Sequence, residues 1–156
     1  MDTLNFDNFP SPILTGNDVF SKQRVVVFGL PGAFTPTCST QQVPGYSDNY
    51  HEIRAKGVDE IYCTSVNDGF VMKAWFENFD NYCRVKYLAD GNGQFARRMG
   101  MLVDKNNLGF GARSWRYAAV INNGVIEIFL PEMGMCDDCH NDPYEESTPE
   151  NLISQL

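Results

Sequence analysis

The amino-acid sequence predicts an α/β fold, a mixed β-sheet flanked by helices on both faces, and three observations carry that expectation. Val25-Val26-Val27-Phe28-Gly29-Leu30 is apolar without period-two alternation, which suits a strand buried on both sides. A helical pattern follows it and leads to a second apolar run, Val58 to Val66, the order that builds a parallel strand-helix-strand unit. Farther on, two β-rich runs flank Asn122-Asn123-Gly124, where Asn-Gly favours the tight primed turn of an antiparallel hairpin.

Taken in order, residues 1 to 24 scatter Phe6, Phe9, Ile13 and Leu14 among Pro10, Pro12 and Gly16 and read as a short edge segment plus loop. The strand at Val25 to Leu30 ends at Pro31-Gly32. From Ser39 to Arg54, apolar residues at Val43, Tyr46, Tyr50 and Ile53 share one helical face. Pro44 interrupts that helix, so a kink or fresh start is expected, either loosening the first turn or fixing it rigidly. Lys56-Gly57 terminates it. Asn67-Asp68 caps a helix through Phe76 whose apolar surface is Phe70, Val71, Ala74 and Trp75. Val85 to Ala89 is a short strand, Asp90 to Gly93 a turn, Gln94 to Met99 a helix, and Leu108 to Gly111 a glycine-bearing loop. The hairpin strands are Arg116 to Ile121 and Val125 to Leu130. Pro149 to Leu156 closes the chain as a helix, with Thr148 as its cap and Pro149 in its first position. Two parallel strands joined to an antiparallel hairpin describe a thioredoxin-like sheet.

A chain of 156 residues suits one compact domain spanning residues 1–156. Twelve Lys and Arg against 20 Asp and Glu give a net charge of −8, which argues against nucleic acid or an anionic membrane as partner. No apolar run reaches membrane-span length, and the amino terminus lacks the basic and apolar blocks of a secretory signal, so a cytoplasmic location is expected. The five cysteines do not form the pattern of a secreted disulfide framework, and unbridged thiols are expected.

Cys38 lies where the buried strand hands over to a helix amino terminus. Free backbone N–H groups and the positive end of the helix dipole favour an anion there, so a cysteine at such a place is more readily a thiolate. Thr35 brings a hydroxyl three residues before Cys38, and Pro31 and Pro36 stiffen the loop. The plain alternative is a small apolar residue packed beneath a helix.

Pro31-x3-Thr35-x2-Cys38, within PGAFTPTCS, resembles the active-site loop of peroxiredoxins of the type II, or five-like, subfamily. The likeness continues through IYCTSVNDGFVMKAWFE, LADGNGQFARRMGM and LGFGARSWRYAAVINNGVIE, and covers most of residues 25 to 156. The later blocks are most similar to the peroxiredoxin half of bacterial peroxiredoxin–glutaredoxin hybrids. The amino-terminal stretch is shorter than the subfamily's. The resemblance implies a thiol-dependent peroxidase for hydrogen peroxide and small organic hydroperoxides, without a cofactor or metal, in which Cys38 becomes a sulfenic acid. It implies that Pro31 shapes the loop and that Thr35 and the Cys38 N–H donate to peroxide oxygens. Arg116 aligns with the family's catalytic arginine, with Arg113 its close competitor and supporting neighbour. A homodimer is implied, with contacts near Phe70 and Trp75. With no glutaredoxin domain after Leu156, the expected reductant is glutathione with glutaredoxin, or thioredoxin. A peroxide-responsive redox sensor using the same cysteine is the alternative. A thioredoxin-type oxidoreductase is disfavoured, because Thr35-Pro36-Thr37-Cys38 has no second cysteine.

A resolving cysteine is less plain. The subfamily's carboxy-terminal place aligns near Glu146, which is no thiol. Cys63 follows Cys38 by 25 residues, like the second cysteine of plant-type members, but lies in an expected strand. Cys136-Asp-Asp-Cys139-His140 fits haem attachment only for an exported chain, and offers zinc three ligands where four are wanted. As a redox pair it lacks a helix amino terminus, and Asp137 and Asp138 oppose ionisation of its thiols. It reads as an insertion in an acidic surface loop, with one of its thiols as a second choice of resolving cysteine. Cys83 reads as structural.

Overall fold

In the computed structural model, which describes residues 16–156, the elements follow closely from the residues. The expected edge segment with Phe6, Phe9, Ile13 and Leu14 lies outside the described residues. Helix α1 (Gly16–Phe20) leads into β1 (Arg24–Gly29). After the loop come a π-helical turn (Cys38–Gln42), α2 (Val43–Asp48) and α3 (Tyr50–Ala55). Then follow β2 (Glu60–Ser65), α4 (Gly69–Phe76), β3 (Lys86–Ala89) and α5 (Gln94–Arg98). A short hairpin, β4 (Leu102–Asp104) and β5 (Ala112–Ser114), precedes the long one, β6 (Tyr117–Asn122) and β7 (Val125–Pro131), and α6 (Pro149–Gln155) ends the chain.

The main sheet has the order β3-β2-β1-β6-β7, with β1 central. β1 runs parallel to β2 and antiparallel to β6, which makes the sheet mixed as expected. Its apolar run is explained by two cores. Val26 and Phe28 pack on one side with Cys38, Val43, Tyr46 and Leu152. Val25 and Val27 pack on the other with Phe95, Trp115, Tyr117 and Ile121. The fold is thioredoxin-like, and among the described residues no helix is long and apolar enough to cross a membrane.

The helix expected over residues 39–54 is divided. Pro44 has no N–H to offer the Thr40 carbonyl, and its ring crowds that carbonyl, so the preceding turn widens. The Val43 N–H accordingly bonds the Cys38 carbonyl, five residues back, and α2 starts afresh with Pro44 in its first turn. A second break falls at Asn49, whose side-chain amide donates to the Gly45 carbonyl at 2.8 Å. The β4–β5 hairpin was not anticipated, because three-residue strands are too short to show alternation. The expected apolar surface of α4 is also corrected: Phe70 and Ala74 face solvent and Val71 is half-buried, because the helix turns Met72 and Trp75 to the core, with Phe76 and Phe79 beside them. The caps and the hairpin turn act as read. Asp68 accepts from the Val71 N–H at 2.9 Å and Thr148 from the Asn151 N–H at 3.2 Å. Asn123 and Gly124 take φ of 48° and 80°, the paired positive values of a primed turn.

Gly29, the last residue of β1, lies opposite Tyr117 in the sheet, and the buried Tyr117 ring occupies the space a β-carbon would need. Gly29→Ala is expected to lower stability by about 1–3 kcal/mol through overpacking. The check is the midpoint of denaturant unfolding at unchanged slope, and an unaltered midpoint would show that the ring yields freely.

Candidate active site

The residues between β1 and the π-helical turn are held at several points. Pro31 and Gly32 are buried, and Phe34 is turned to solvent with φ of 63°. The Ala33 N–H donates to Asn67 Oδ1 at 3.0 Å, the Thr35 hydroxyl donates to the Gly32 carbonyl at 2.7 Å, and the Ser39 N–H donates to the Thr35 carbonyl at 3.0 Å. Trp75 adds a contact from α4, its indole N–H reaching Ser39 Oγ at 2.9 Å. Cys38, at the head of the turn, is fully buried.

Arg116 meets it just before β6. This guanidinium is 2% exposed, and each of its five N–H donors has an acceptor. Nε donates to Gln42 Oε1 at 2.8 Å. Nη1 donates to Asp142 Oδ1 at 2.7 Å and to the Pro143 carbonyl at 2.9 Å. Nη2 donates to Asp142 Oδ2 at 3.1 Å and to Cys38 Sγ at 3.5 Å. Burial works against the arginine's charge, but Cys38 and Asp142 outweigh it and hold its pKa above the ordinary value. The Tyr144 ring lies 5.7 Å from the guanidinium carbon; burial first, then Glu150, pushes its phenol well up, so the ring stays neutral there.

Arg113 is placed differently, in β5 behind the loop. Its Nη1 donates to the Pro31 carbonyl and its Nε to the Phe110 carbonyl, both at 3.1 Å. It braces Pro31 and Gly32, while Arg116 contacts the sulfur. Burial lowers the Arg113 pKa, with Cys38 acting in the opposite direction.

The segment carrying Asp142 is anchored by a residue that sequence reasoning missed. Glu132, 3% exposed, accepts from the N–H groups of Glu145, Glu146 and Ser147 and from the Ser147 hydroxyl, at 2.7–3.0 Å. Its own N–H donates to the Arg116 carbonyl at 3.0 Å. Gln42, Asn67 and Asp142 were missed as well. Only Gln42 gave a signal, lying one helical turn after Cys38; Gln42 Nε2 also reaches the Gly29 carbonyl at 3.4 Å.

A cavity of about 300 Å³ opens beside this constellation, bounded by Pro31, Thr35, Pro36, Phe110, Cys139 and Asp142. Cys136 and Cys139 are joined as a disulfide, which corrects the expectation of unbridged thiols. Their loop is tied to the β4–β5 hairpin: the Asp104 N–H donates to Asp137 Oδ1 and the Asp138 N–H to the Asp104 carbonyl, each at 2.8 Å. Among the described residues no group of three His, Cys, Asp or Glu could hold a metal ion. Cys63 is sealed inside β2 across from Phe28, and burial first, then Cys38, pushes its thiol well up. Cys83 is partly exposed and packs at the margin of the core.

A family model described as Redoxin matches residues 11–133. A protein of Rhizobium etli named peroxiredoxin is 55% identical over 142 residues, 91% of this chain and 79% of that protein. The hybrid peroxiredoxin hyPrx5 of Haemophilus influenzae is 42% identical over 92% of this chain and 57% of its own length. Among solved structures, reduced Prx3 of Vibrio vulnificus in complex with hydrogen peroxide superposes with a TM-score of 0.86 at 37% identity, covering 99% of this chain and 97% of that one.

Truncating the buried Glu132 carboxylate leaves three backbone donors without a partner. Glu132→Ala is expected to cost about 3 kcal/mol, measured as a lowered unfolding midpoint, and Glu132→Gln less, since its carbonyl still accepts. An unchanged midpoint in the alanine variant would show that this carboxylate does not anchor the segment.

Proposed function

The chain belongs to the redoxin family and is a peroxiredoxin, a thiol-dependent peroxidase; from that premise we propose that Cys38 is the residue that attacks peroxide and that Arg116 is its catalytic partner. The observation that carries this reading is the Arg116 Nη2 contact to Cys38 Sγ at 3.5 Å, made by a guanidinium whose other donors are fixed.

The Cys38 thiolate attacks one peroxide oxygen, an S–O bond forms as the O–O bond breaks, and the distal oxygen leaves as hydroxide or alkoxide that takes up a proton. Sulfur is oxidised to sulfenic acid and the peroxide is reduced. Arg116 stabilises the thiolate and the charge developing on the leaving oxygen, and its anchoring means that little reorganisation is needed as that charge forms. Thr35 acts in the opposite sense to its expected one: its hydrogen is committed to the Gly32 carbonyl, so its oxygen accepts the peroxide O–H. Pro31 and Arg113 hold the loop in place.

The cavity's apolar walls at Pro36, Leu108 and Phe110 suit small organic hydroperoxides as well as hydrogen peroxide. The bound peroxide in the Vibrio vulnificus relative supports the same substrate class. The electrons that regenerate Cys38 come from a thiol reductant, glutathione with glutaredoxin or else thioredoxin. The chain acts as one domain in the cytoplasm, and as a homodimer whose contacts include Phe70, a phenylalanine 88% exposed at the start of α4; Trp75 is buried and serves the core.

Cys38→Ser is expected to abolish peroxide consumption. Arg116→Ala should slow peroxide-driven oxidation of Cys38 about 10²–10³-fold, as for loss of a fixed oxyanion donor, and Arg116→Lys should recover only part, since it keeps charge without the fork. Arg113→Ala should cost less. Stopped-flow oxidation kinetics decide it, and a larger loss at Arg113 would reverse the two assignments.

A further inference from the structure

The segment between β7 and α6 carries a second redox group that the peroxidase step leaves unused. Cys136 is exposed, and Cys139 turns inward, 9% exposed, to bound the same cavity as Thr35 and Pro36. Three residues farther on, Asp142 grips the guanidinium that touches Cys38 Sγ. The other cysteines are poorly placed for exchange with Cys38. Cys63 is sealed within the sheet, and Cys83 opens to a separate cavity bounded by Pro44, His51 and Tyr82.

We propose that Cys136 and Cys139, when reduced, are the dithiol that returns oxidised Cys38 to its thiol, so that electrons enter the enzyme at this loop. The inference rests on Cys38 being the residue oxidised by peroxide. The Cys139 thiolate attacks the sulfenic sulfur of Cys38; a Cys38–Cys139 bond forms, the S–O bond breaks, and the hydroxide leaves as water after taking a proton. The Cys136 thiolate then attacks Cys139, closes the Cys136–Cys139 bond and expels Cys38 as thiolate. One sulfenic acid and two thiols become one thiol, one disulfide and one water. An external thiol of the thioredoxin or glutathione class then reduces the exposed disulfide, attacking at Cys136 with Cys139 leaving.

Forming the mixed disulfide brings the two Cα atoms to about 4.4–6.8 Å. Both sides are suited to it. The loop is fastened to the β4–β5 hairpin by exposed hydrogen bonds in which Asp137 Oδ1 accepts from the Asp104 N–H and Asp138 Oδ1 from the Asn107 N–H, each worth about 1 kcal/mol net. The turn that begins at Cys38 is π-helical and has no side-chain cap.

The test takes the full chain reduced with dithiothreitol, desalted without oxygen, given one equivalent of hydrogen peroxide, alkylated and mapped by mass spectrometry. The wild type should close Cys136–Cys139 in proportion to peroxide, with Cys38 alkylated as thiol. Cys38→Ser should leave Cys136 and Cys139 alkylated, and Cys136→Ser should accumulate a Cys38–Cys139 bridge. Cys38 found as sulfenic or sulfinic acid, or bridged to Cys63, with Cys136 and Cys139 still thiols, overturns the proposal and leaves the peroxidase reading standing. Closure of the pair at the same rate in Cys38→Ser overturns it too. A Cys38 that does not react with peroxide removes the peroxidase reading itself.

Discussion

A buried guanidinium is tolerated only when its charge and its donors are answered, because desolvating it costs several kcal/mol. Arg116 meets that requirement by drawing acceptors from two stretches of chain: Gln42 and Cys38 from the turn after β1, and Asp142 with Pro143 from the segment before α6. Its own position is set by entry into β6, the strand beside β1. The geometry at the sulfur is therefore a property of the whole arrangement. Removing either stretch would strand a buried charge, so the segments are coupled in folding as well as in chemistry.

The sheet supplies the rigid reference. β1 is clamped between β2 and β6 and packed on both faces, and both the sulfur-bearing turn and the Arg116 approach start from its carboxyl end. Reactive groups emerging from the ends of fixed strands are located more tightly than groups on free loops. The acidic segment before α6 has no strand to fix it, and Glu132 serves that purpose through a cluster of backbone donors. Arg113 and Asn67 do the same for the loop before Cys38.

Much of this was legible in the residues. The unbroken apolar run at 25–30, the Asn-Gly turn and the caps at Asp68 and Thr148 each act through local chemistry, and each led to the observed element. The β4–β5 hairpin and the break at Asn49 were not legible, since one is too short for a pattern and the other is settled by a single side-chain bond. At the site, Cys38 and Arg116 stood out because whole blocks around them resemble one family, and the structure brings them together. Asp142 and Glu132 gave no signal: their segment has no periodicity, and Asp142 meets its partner 26 residues away in the chain. Cys136 and Cys139 read from the residues as an acidic surface insertion with haem and zinc disfavoured, and the bond between them is seen only in the structure.

Pro44 has a consequence for the sulfur's end of the helix. The wide turn is enforced by an amide hydrogen that proline lacks, so it is written into the covalent chain and does not depend on the chemical state of Cys38. A regular helix propagates order from one hydrogen-bonded ring to the next. Here that propagation is interrupted after a single turn, so α2 and α3 can keep their packing whatever the residues ahead of Pro44 do. The scaffold is thereby insulated from its own reaction cycle.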